Sequence, residues 1–86
     1  MRLTLKLYAT LAEYLPASAR DNQIVLELPG EPSPHAVLDQ FKVPHARAHL
    51  LLVNGNYVPP AERDAPCLRD GDVLAAWPPV AGGSAL

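Results

Sequence analysis

Hydrophobic and polar residues alternate at the start of the chain, where leucines at positions 3, 5 and 7 are separated by polar residues. A period of two is typical of a half-buried strand, so Arg2 to Tyr8 is predicted to be a strand whose leucines face the core. The apolar-rich segment from Ala9 to Leu15 predicts a helical turn or two, closed by Pro16. A second strand, Ile24 to Leu28, would form a hairpin with the first across this long connection.

One main helix is predicted in the middle of the chain. Ser33 and Pro34 are residue types preferred at the N-cap and at the first helical position, and they precede the segment HAVLDQF, residues 35–41. The helix is expected to end near Val43 and Pro44. Its apolar face would be formed by Ala36, Val37 and either Phe41 or Leu38.

The second half of the chain contains three further strand patterns. Leu50 to Val53 is apolar on both faces, which is typical of an interior strand. Asn54 to Asn56 predicts a tight turn, and a brief strand at Tyr57 and Val58 should follow it. Val73 to Trp77 is predicted to be the last strand, stopped by Pro78 and Pro79.

This order of elements predicts an α+β protein with the β-grasp fold. Two layers, a mixed sheet of four to five strands with one main helix packed across it, bury the apolar residues most economically. The first and last strands would lie side by side in parallel in the middle of that sheet. A chain of 86 residues has material for one core only. We therefore expect one domain, residues 1–80, and a flexible C-terminal tail, residues 81–86, that contains two glycines.

Composition and charge limit the classes of partner. Seven Lys and Arg against nine Asp and Glu, without a basic block, argue against binding of nucleic acid. No apolar run approaches the roughly 20 residues of a membrane span, so no membrane partner is expected. The single cysteine excludes an internal disulfide framework and fits a reducing compartment, which predicts a cytoplasmic protein.

Three stretches of the second half, VNG, LRDGDVLAAWPP and VAGG, occur in this order. With them the chain resembles the ubiquitin-like sulfur carriers of the molybdopterin and thiamine pathways, and most closely the small subunit of molybdopterin synthase. The resemblance covers nearly the whole chain, and its specific part runs from the DGD turn to Gly83. The thiamine-pathway carrier shares the fold, the DGD turn and the Gly-Gly end, whereas the Pro-Pro pair favours the molybdopterin type.

The resemblance implies a carrier that is not itself an enzyme and binds no cofactor. An adenylyltransferase of the ubiquitin-activating type would use ATP to adenylate the carboxylate of Gly83, and sulfur would replace the adenylate. The resulting thiocarboxylate would act in the large subunit of molybdopterin synthase. Glycine lacks a Cβ and fits a narrow slot, which suits a tail formed by Val80, Ala81, Gly82 and Gly83.

The sequence departs from the family pattern after the second glycine. Carriers of this type end at that residue, whereas here Ser84, Ala85 and Leu86 follow. Our hypothesis is that a processing protease cuts before Ser84 and exposes Gly83. Three alternatives stay open: a frayed terminus without a function, a β-grasp interaction module without carrier chemistry, and a carrier for thiamine or cysteine synthesis.

Aromatic residues near the tail are candidate anchors for a protein partner. Tyr8 is predicted to be exposed because it lies opposite the leucines of its strand, Tyr57 follows a turn, and Trp77 ends the last strand. Pro78 and Pro79 would hold the exit of the tail semi-rigid and belong to the same partner-binding region. The alternative for Trp77 is a place in the core.

Other chemistry-bearing residues give weaker patterns. His45 and His49 are four residues apart, but Pro44 argues against a helix and no third ligand is near, so we expect no metal site and solvated histidines. His35 is expected at the surface as well. Cys67 is expected to be buried and structural. Asp70 and Asp72 are expected to form a turn. Arg63 and Arg69 are expected to be solvated or to orient a partner.

Overall fold

The computed structural model describes residues 1–79. Its regular elements, in chain order, are β1 (Arg2–Leu7), β2 (Gln23–Glu27), α1 (Pro34–Gln40), β3 (Leu50–Val53), β4 (Asn56–Tyr57) and β5 (Val73–Trp77). Three short 3₁₀ helices occupy the connections, at Ala9–Tyr14, His45–Arg47 and Pro60–Glu62. Among these residues, no helix has the length and apolarity that crossing a bilayer would require.

The strands form one mixed sheet in the order β2-β1-β5-β3-β4. The central pair, β1 and β5, is parallel, whereas β2 and β3 are antiparallel to their neighbours in it. This is the predicted β-grasp, with five strands and α1 packed across one face. The strand β3 is interior in the sheet, as expected, but Leu50 at its start is exposed, so only one of its apolar faces is covered.

The core lies between α1 and one face of the sheet. Leu3, Leu5 and Leu7 of β1 are fully buried there, which confirms the period-two prediction. The other strands and the first 3₁₀ helix add further fully buried side chains, namely Leu11, Leu51 and Leu74. At roughly 1.5–3 kcal/mol for each fully buried leucine, this layer is the main source of stability.

The helix α1 begins as the sequence predicts. The hydroxyl of Ser33 accepts a hydrogen bond from the amide of Ala36 at 3.0 Å, and Pro34 is the first helical residue. The buried face differs from the prediction, because Val37 and Leu38 are buried whereas Ala36 is exposed. Phe41 packs against the core only in part.

Replacing Ser33 with alanine should lower the free energy of unfolding by about 1 kcal/mol, the usual cost of losing an N-cap. A helix of only seven residues depends strongly on that cap. Urea unfolding of Ser33→Ala, with Ser18→Ala in an exposed loop as the control, measures the effect. Equal stability of the two variants would mean that the cap contributes nothing.

The DGD turn at residues 70–72 is built from side-chain to backbone hydrogen bonds. Asp72 accepts one from the amide of Arg69 at 2.9 Å, and Asp70 accepts one from the amide of Arg2 at 2.7 Å. Asn54 accepts from the amide of Val73 and donates to Asp72, both at 2.9 Å. Both aspartates therefore accept hydrogen bonds that hold the turn, as predicted, with Asp72 bonding within it and Asp70 joining it to the start of β1.

Candidate functional site

The sheet has a second face, opposite α1, which we call the open face. Pairing across the five strands places one row of side chains over the full width of this face. From β2 to β4 the row is Gln23, Lys6, Ala75, Leu52 and Tyr57. The neighbouring positions of the same face complete it: Thr4, Val25, Glu27, Leu50, Val73 and Trp77. Neither α1 nor another regular element of residues 1–79 covers this face.

The open face is unusually apolar for a surface. Among the described residues, the large hydrophobic side chains that are exposed are Val25, Leu50 and Tyr57, at 54%, 37% and 54%. Pairing places all three on the open face. Leu50 and Tyr57 lie towards one edge of the sheet, on β3 and β4, and Val25 lies on β2 at the other edge. Exposed apolar side chains gathered on one face are common in contact surfaces for another protein. Tyr57 is exposed as expected.

Tyr8 and Trp77 meet at one end of the open face. Their rings are stacked, with centroids 4.5 Å apart and planes inclined by 10°. The amide of Tyr8 donates to the carbonyl of Ala76 at 3.1 Å, so the parallel pairing of β1 and β5 continues up to the stack. Tyr8 is half-buried and not exposed as predicted, because Trp77 covers its ring. Trp77 is half-buried too and lies outside the buried core.

The chain leaves the sheet directly after this stack. Pro78 is half-buried and Pro79 is exposed. Proline fixes its own φ and restricts the residue before it, so the backbone direction after Trp77 has little freedom. The predicted tail residues and processing position, Val80, Ala81, Gly82, Gly83 and Ser84, lie outside the described residues.

An ion pair lies at the margin of the open face, far from the stack. The Nε of Arg2 donates to Glu27 at 2.8 Å, and both side chains are largely exposed. The hydrogen bond from the guanidinium to Glu27 raises the pKa of Arg2. Arginine is charged at physiological pH in any case, so the pair contributes polarity to the rim and no acid–base chemistry.

The three histidines of the chain line one surface cleft near the β3–β4 edge. His35 stacks on His45 with ring centroids 3.7 Å apart, and each ring contacts a carboxylate, Asp64 at 3.0 Å and Asp39 at 2.7 Å. The side chain of His35 is only 13% exposed, so its predicted surface position is wrong. His45 and His49 are exposed, as expected.

The pairing of histidines is not the one that sequence spacing suggests, since His45 contacts His35 and begins a 3₁₀ helix of three residues. Within residues 1–79, no group of three or more His, Cys, Asp and Glu side chains is arranged to hold a metal ion.

Arg63 is buried, which contradicts the prediction of a solvated side chain. It is 4% exposed and donates to three backbone carbonyls: that of Val58 at 2.9 Å, that of Ala48 at 2.7 Å and that of His49 at 3.2 Å. These carbonyls belong to loops that do not pair in the sheet, and the guanidinium replaces the missing backbone donors. Arg69 is exposed, as expected.

Cys67 is exposed, so the prediction of a buried structural cysteine is wrong. The next residue, Leu68, is fully buried instead, and its amide donates to the carbonyl of Pro32 at 3.2 Å. The loop therefore directs Leu68 into the core and Cys67 away from it.

Solved structures of other proteins share this fold. The HVO 2177 protein of Haloferax volcanii is 26% identical, with a TM-score of 0.73 over 96% of this chain and 87% of that one. SAMP1 of Haloferax volcanii is 23% identical, with a TM-score of 0.64 over 96% of this chain and 100% of that one. No protein with a curated description matches the sequence.

A more distant match is a chain from the complex of subunits 1 and 2 of the molybdopterin-converting factor of Helicobacter pylori 26695. It is 16% identical, with a TM-score of 0.57 over 96% of this chain and 100% of that one. These likenesses confirm the β-grasp architecture. The family model described as Mut7-C ubiquitin matches residues 1–82. Because this match includes every described element, the chain belongs to the Mut7-C ubiquitin family.

Proposed function

We propose that the chain is a ubiquitin-like sulfur carrier that docks on its partners through the open face and presents Gly83 to them. The observation that carries this proposal is the position of the Tyr8–Trp77 stack, at the root of the C-terminal segment and at the end of an apolar sheet face. A carrier needs both parts, a surface that another protein recognises and a narrow reactive tail close to it.

The spacing along the chain suits this task. Gly83 lies six positions after Trp77. Six residues in extended conformation span at most about 20 Å. A partner that covers the open face would thus have the carboxylate of Gly83 within reach of its own active site. The segment contains Pro78 and Pro79 at its start and small residues at its end, so it combines a restricted exit with a slender tip.

The chemistry at Gly83 would be supplied by the partner. In the first complex an adenylyltransferase of the ubiquitin-activating type forms an acyl-adenylate from ATP and the glycine carboxylate, with release of pyrophosphate. A donor of sulfur at the oxidation level of sulfide then displaces AMP and leaves a thiocarboxylate. The carrier contributes binding and presentation, and no side chain of residues 1–79 is required as an acid, base or nucleophile.

The second complex would be with the large subunit of molybdopterin synthase, where the thiocarboxylate delivers sulfur to the molybdenum cofactor precursor. Support comes from the Helicobacter pylori neighbour, whose structure is a complex of subunits 1 and 2 of the molybdopterin-converting factor. A sheet face that carries exposed apolar side chains, with the Arg2–Glu27 pair at its margin, suits such an interface.

The experiment compares three forms of the protein, one ending at Leu86, one at Gly83 and one at Gly82. Each is incubated with the adenylyltransferase of the same organism, ATP and a sulfur source, and its intact mass is measured. We expect the mass gain of one oxygen-to-sulfur exchange only on the form that ends at Gly83. Absence of that gain on all three forms would overturn the carrier proposal.

Removal of the residues from Ser84 onwards is part of the same proposal. Intact-mass measurement of the protein isolated from its own cells shows whether the chain ends at Gly83. Recovery of the longer form alone would contradict processing by a protease.

A second candidate is an interaction module without carrier chemistry. It is favoured by the completeness of the open face within residues 1–79, since the apolar patch needs no part of the tail. This candidate predicts that deletion of residues 80–86 leaves partner affinity unchanged. The carrier predicts a loss of affinity for the adenylyltransferase, because the tail occupies its active site.

A further inference from the structure

We propose that the cleft beside Tyr57 binds a small oxyanion of the phosphate or carboxylate type, held by Arg63 and His49. The cleft has a volume of about 370 Å³, and its polar lining consists of His35, His45, His49, Tyr57 and Arg63. The proposal concerns a different side chain cluster from the Tyr8–Trp77 end of the open face, and it does not depend on sulfur transfer.

The first argument is the incomplete use of the Arg63 donors. A guanidinium carries five N–H groups. Three are used, because Nε donates to Val58 and the two terminal nitrogens donate to Ala48 and His49. Each terminal nitrogen has two hydrogens, so each keeps one N–H beyond these bonds. Arg63 lines the cleft, so in this proposal the two remaining N–H groups would donate to the ligand.

The second argument is the charge of Arg63. Carbonyl oxygens satisfy N–H groups but do not neutralise a cation, and a buried charge is costly unless an opposite charge compensates it. Among the described residues, no carboxylate lies within ion-pair distance of Arg63, although its neighbour in sequence is Asp64. Asp64 contacts His35 instead and is 80% exposed. An anion in the cleft would supply the missing charge.

The third argument is the set of groups around the guanidinium. The Tyr57 ring lies over it, with 5.8 Å from Cζ to the ring centroid, and shields it from water on that side. The three imidazoles line the same cleft, and imidazole N–H groups bind oxyanions. Asp64 and Asp39 accept the N–H of His35 and of His45, so the other nitrogen of each neutral ring is an acceptor. The imidazole N–H left for an anion is that of His49, whose ring makes no hydrogen bond among residues 1–79.

The cleft suits a small ion with part of its hydration shell. A water molecule in the liquid takes about 30 Å³, so the cleft has room for an oxyanion and several waters. Ala46, Ala48 and Pro60 complete the lining. A ligand recognised here would owe its specificity to negative oxygens that meet the guanidinium of Arg63.

The test is a titration of the whole chain, without any partner, with sodium phosphate and separately with sodium acetate, at constant ionic strength kept by sodium chloride. Proton–nitrogen NMR follows the Nε–H of Arg63 and the histidine side chains. We expect saturable shifts at these groups with at least one of the two ions. The comparison between phosphate and acetate identifies which geometry of oxyanion the cleft prefers.

Variants locate the binding. His49→Ala removes an exposed wall of the cleft, and Arg63→Met removes the guanidinium, whereas Arg69→Ala removes an exposed cation elsewhere. Loss of one charge-assisted hydrogen bond should weaken binding about tenfold or more. We expect this for the two cleft variants and unchanged binding for Arg69→Ala. If Arg63→Met does not fold, the double variant His45→Ala/His49→Ala replaces it.

Two results would overturn the proposal. One is a linear, unsaturated response to both ions. The other is saturable binding that Arg69→Ala weakens as much as the cleft variants do. Because no adenylyltransferase or sulfur source is present, these outcomes are independent of the carrier experiment.

Discussion

Replacing Arg63 with methionine is expected to lower the free energy of unfolding by roughly 3–5 kcal/mol, the largest effect of any single side chain outside the leucine core. Methionine has a similar length but no donor, so the carbonyls of Ala48, His49 and Val58 lose their partners together. An acceptor left unsatisfied in a buried site costs about 1–3 kcal/mol. Domains of this size have a total stability of only about 5–15 kcal/mol, so the variant would be close to unfolding.

Urea unfolding followed by circular dichroism measures this effect, with Arg69→Met as the matched control. Arg69 is exposed, and its side chain takes part in none of the side-chain hydrogen bonds found among residues 1–79, so the control should change stability by less than about 0.5 kcal/mol. Similar losses for the two variants would show that the Arg63 bonds do not hold these loops together. The same preparation of Arg63→Met then serves for the anion titration.

Much of the fold follows from local patterns in the sequence. The strands β3 and β5 have the predicted bounds, β1 ends one residue earlier than predicted, and β2 and β4 are each shifted by one residue towards the N-terminus. The helix α1 ends at Gln40, earlier than its expected end near Val43 and Pro44. Alternation of leucine with polar residues defines β1 because one face is buried, and the Ser33-Pro34 pair defines the start of α1 because both residues act within the first turn. Such patterns are readable because their physical cause lies within a few residues.

The errors fall where burial is decided by distant parts of the chain. Arg63 and Cys67 lie in the irregular segment between β4 and β5, which has no periodicity that assigns an inner and an outer side. The position of Arg63 follows from carbonyls up to 15 residues away. The place of His35 in the first turn of α1 predicts an exposed ring, but the ring is covered by His45 of a later 3₁₀ helix, whose position local sequence does not determine.

The candidate site lies between these cases. The sequence predicts each aromatic residue separately: Tyr8 from its side of β1, Tyr57 from its place after a turn and Trp77 from the end of β5. It does not predict how they are arranged. The stack follows from the register of the central strands, since Lys6 pairs with Ala75 and the next position on the same face brings Tyr8 to Trp77. Once a parallel β1–β5 pair is assumed, this register is the step that would have predicted the stack.

Trp77→Ala is expected to weaken binding of the Gly83-terminated form to its adenylyltransferase by about 30-fold or more, the effect of losing a hot-spot aromatic worth about 2 kcal/mol. Trp77 is half-buried and does not belong to the core, so one side of its indole is available to a partner. Its place beside Tyr8 orders the ring before binding, which reduces the entropy that docking costs. Tyr8→Leu should therefore weaken binding too, but less than Trp77→Ala.

Both affinity and folding have to be measured for this prediction, because an aromatic pair also adds about 0.5–1.5 kcal/mol to stability. The affinity is measured by calorimetry and expressed per folded molecule, with the folded fraction taken from urea unfolding. Tyr14→Leu is the control, since Tyr14 packs against the core and is not part of the open face.

In the unaltered protein Trp77 is the only tryptophan, so its fluorescence emission also reports docking on a partner in which tryptophan is absent or replaced.

The outcomes separate an anchor from a structural residue. Weaker binding of Trp77→Ala per folded molecule, together with unchanged binding of Tyr14→Leu, assigns Trp77 to the interface. Equal affinity of the folded fractions of both variants would place the docking surface elsewhere, and the open face would then lose its role in presenting Gly83. The stack joins the sheet to the exit of the tail, so Trp77→Ala should also misplace the tail. The rate of thiocarboxylate formation should then be lower even when the partner is saturating. Weaker docking alone would not lower the rate under that condition.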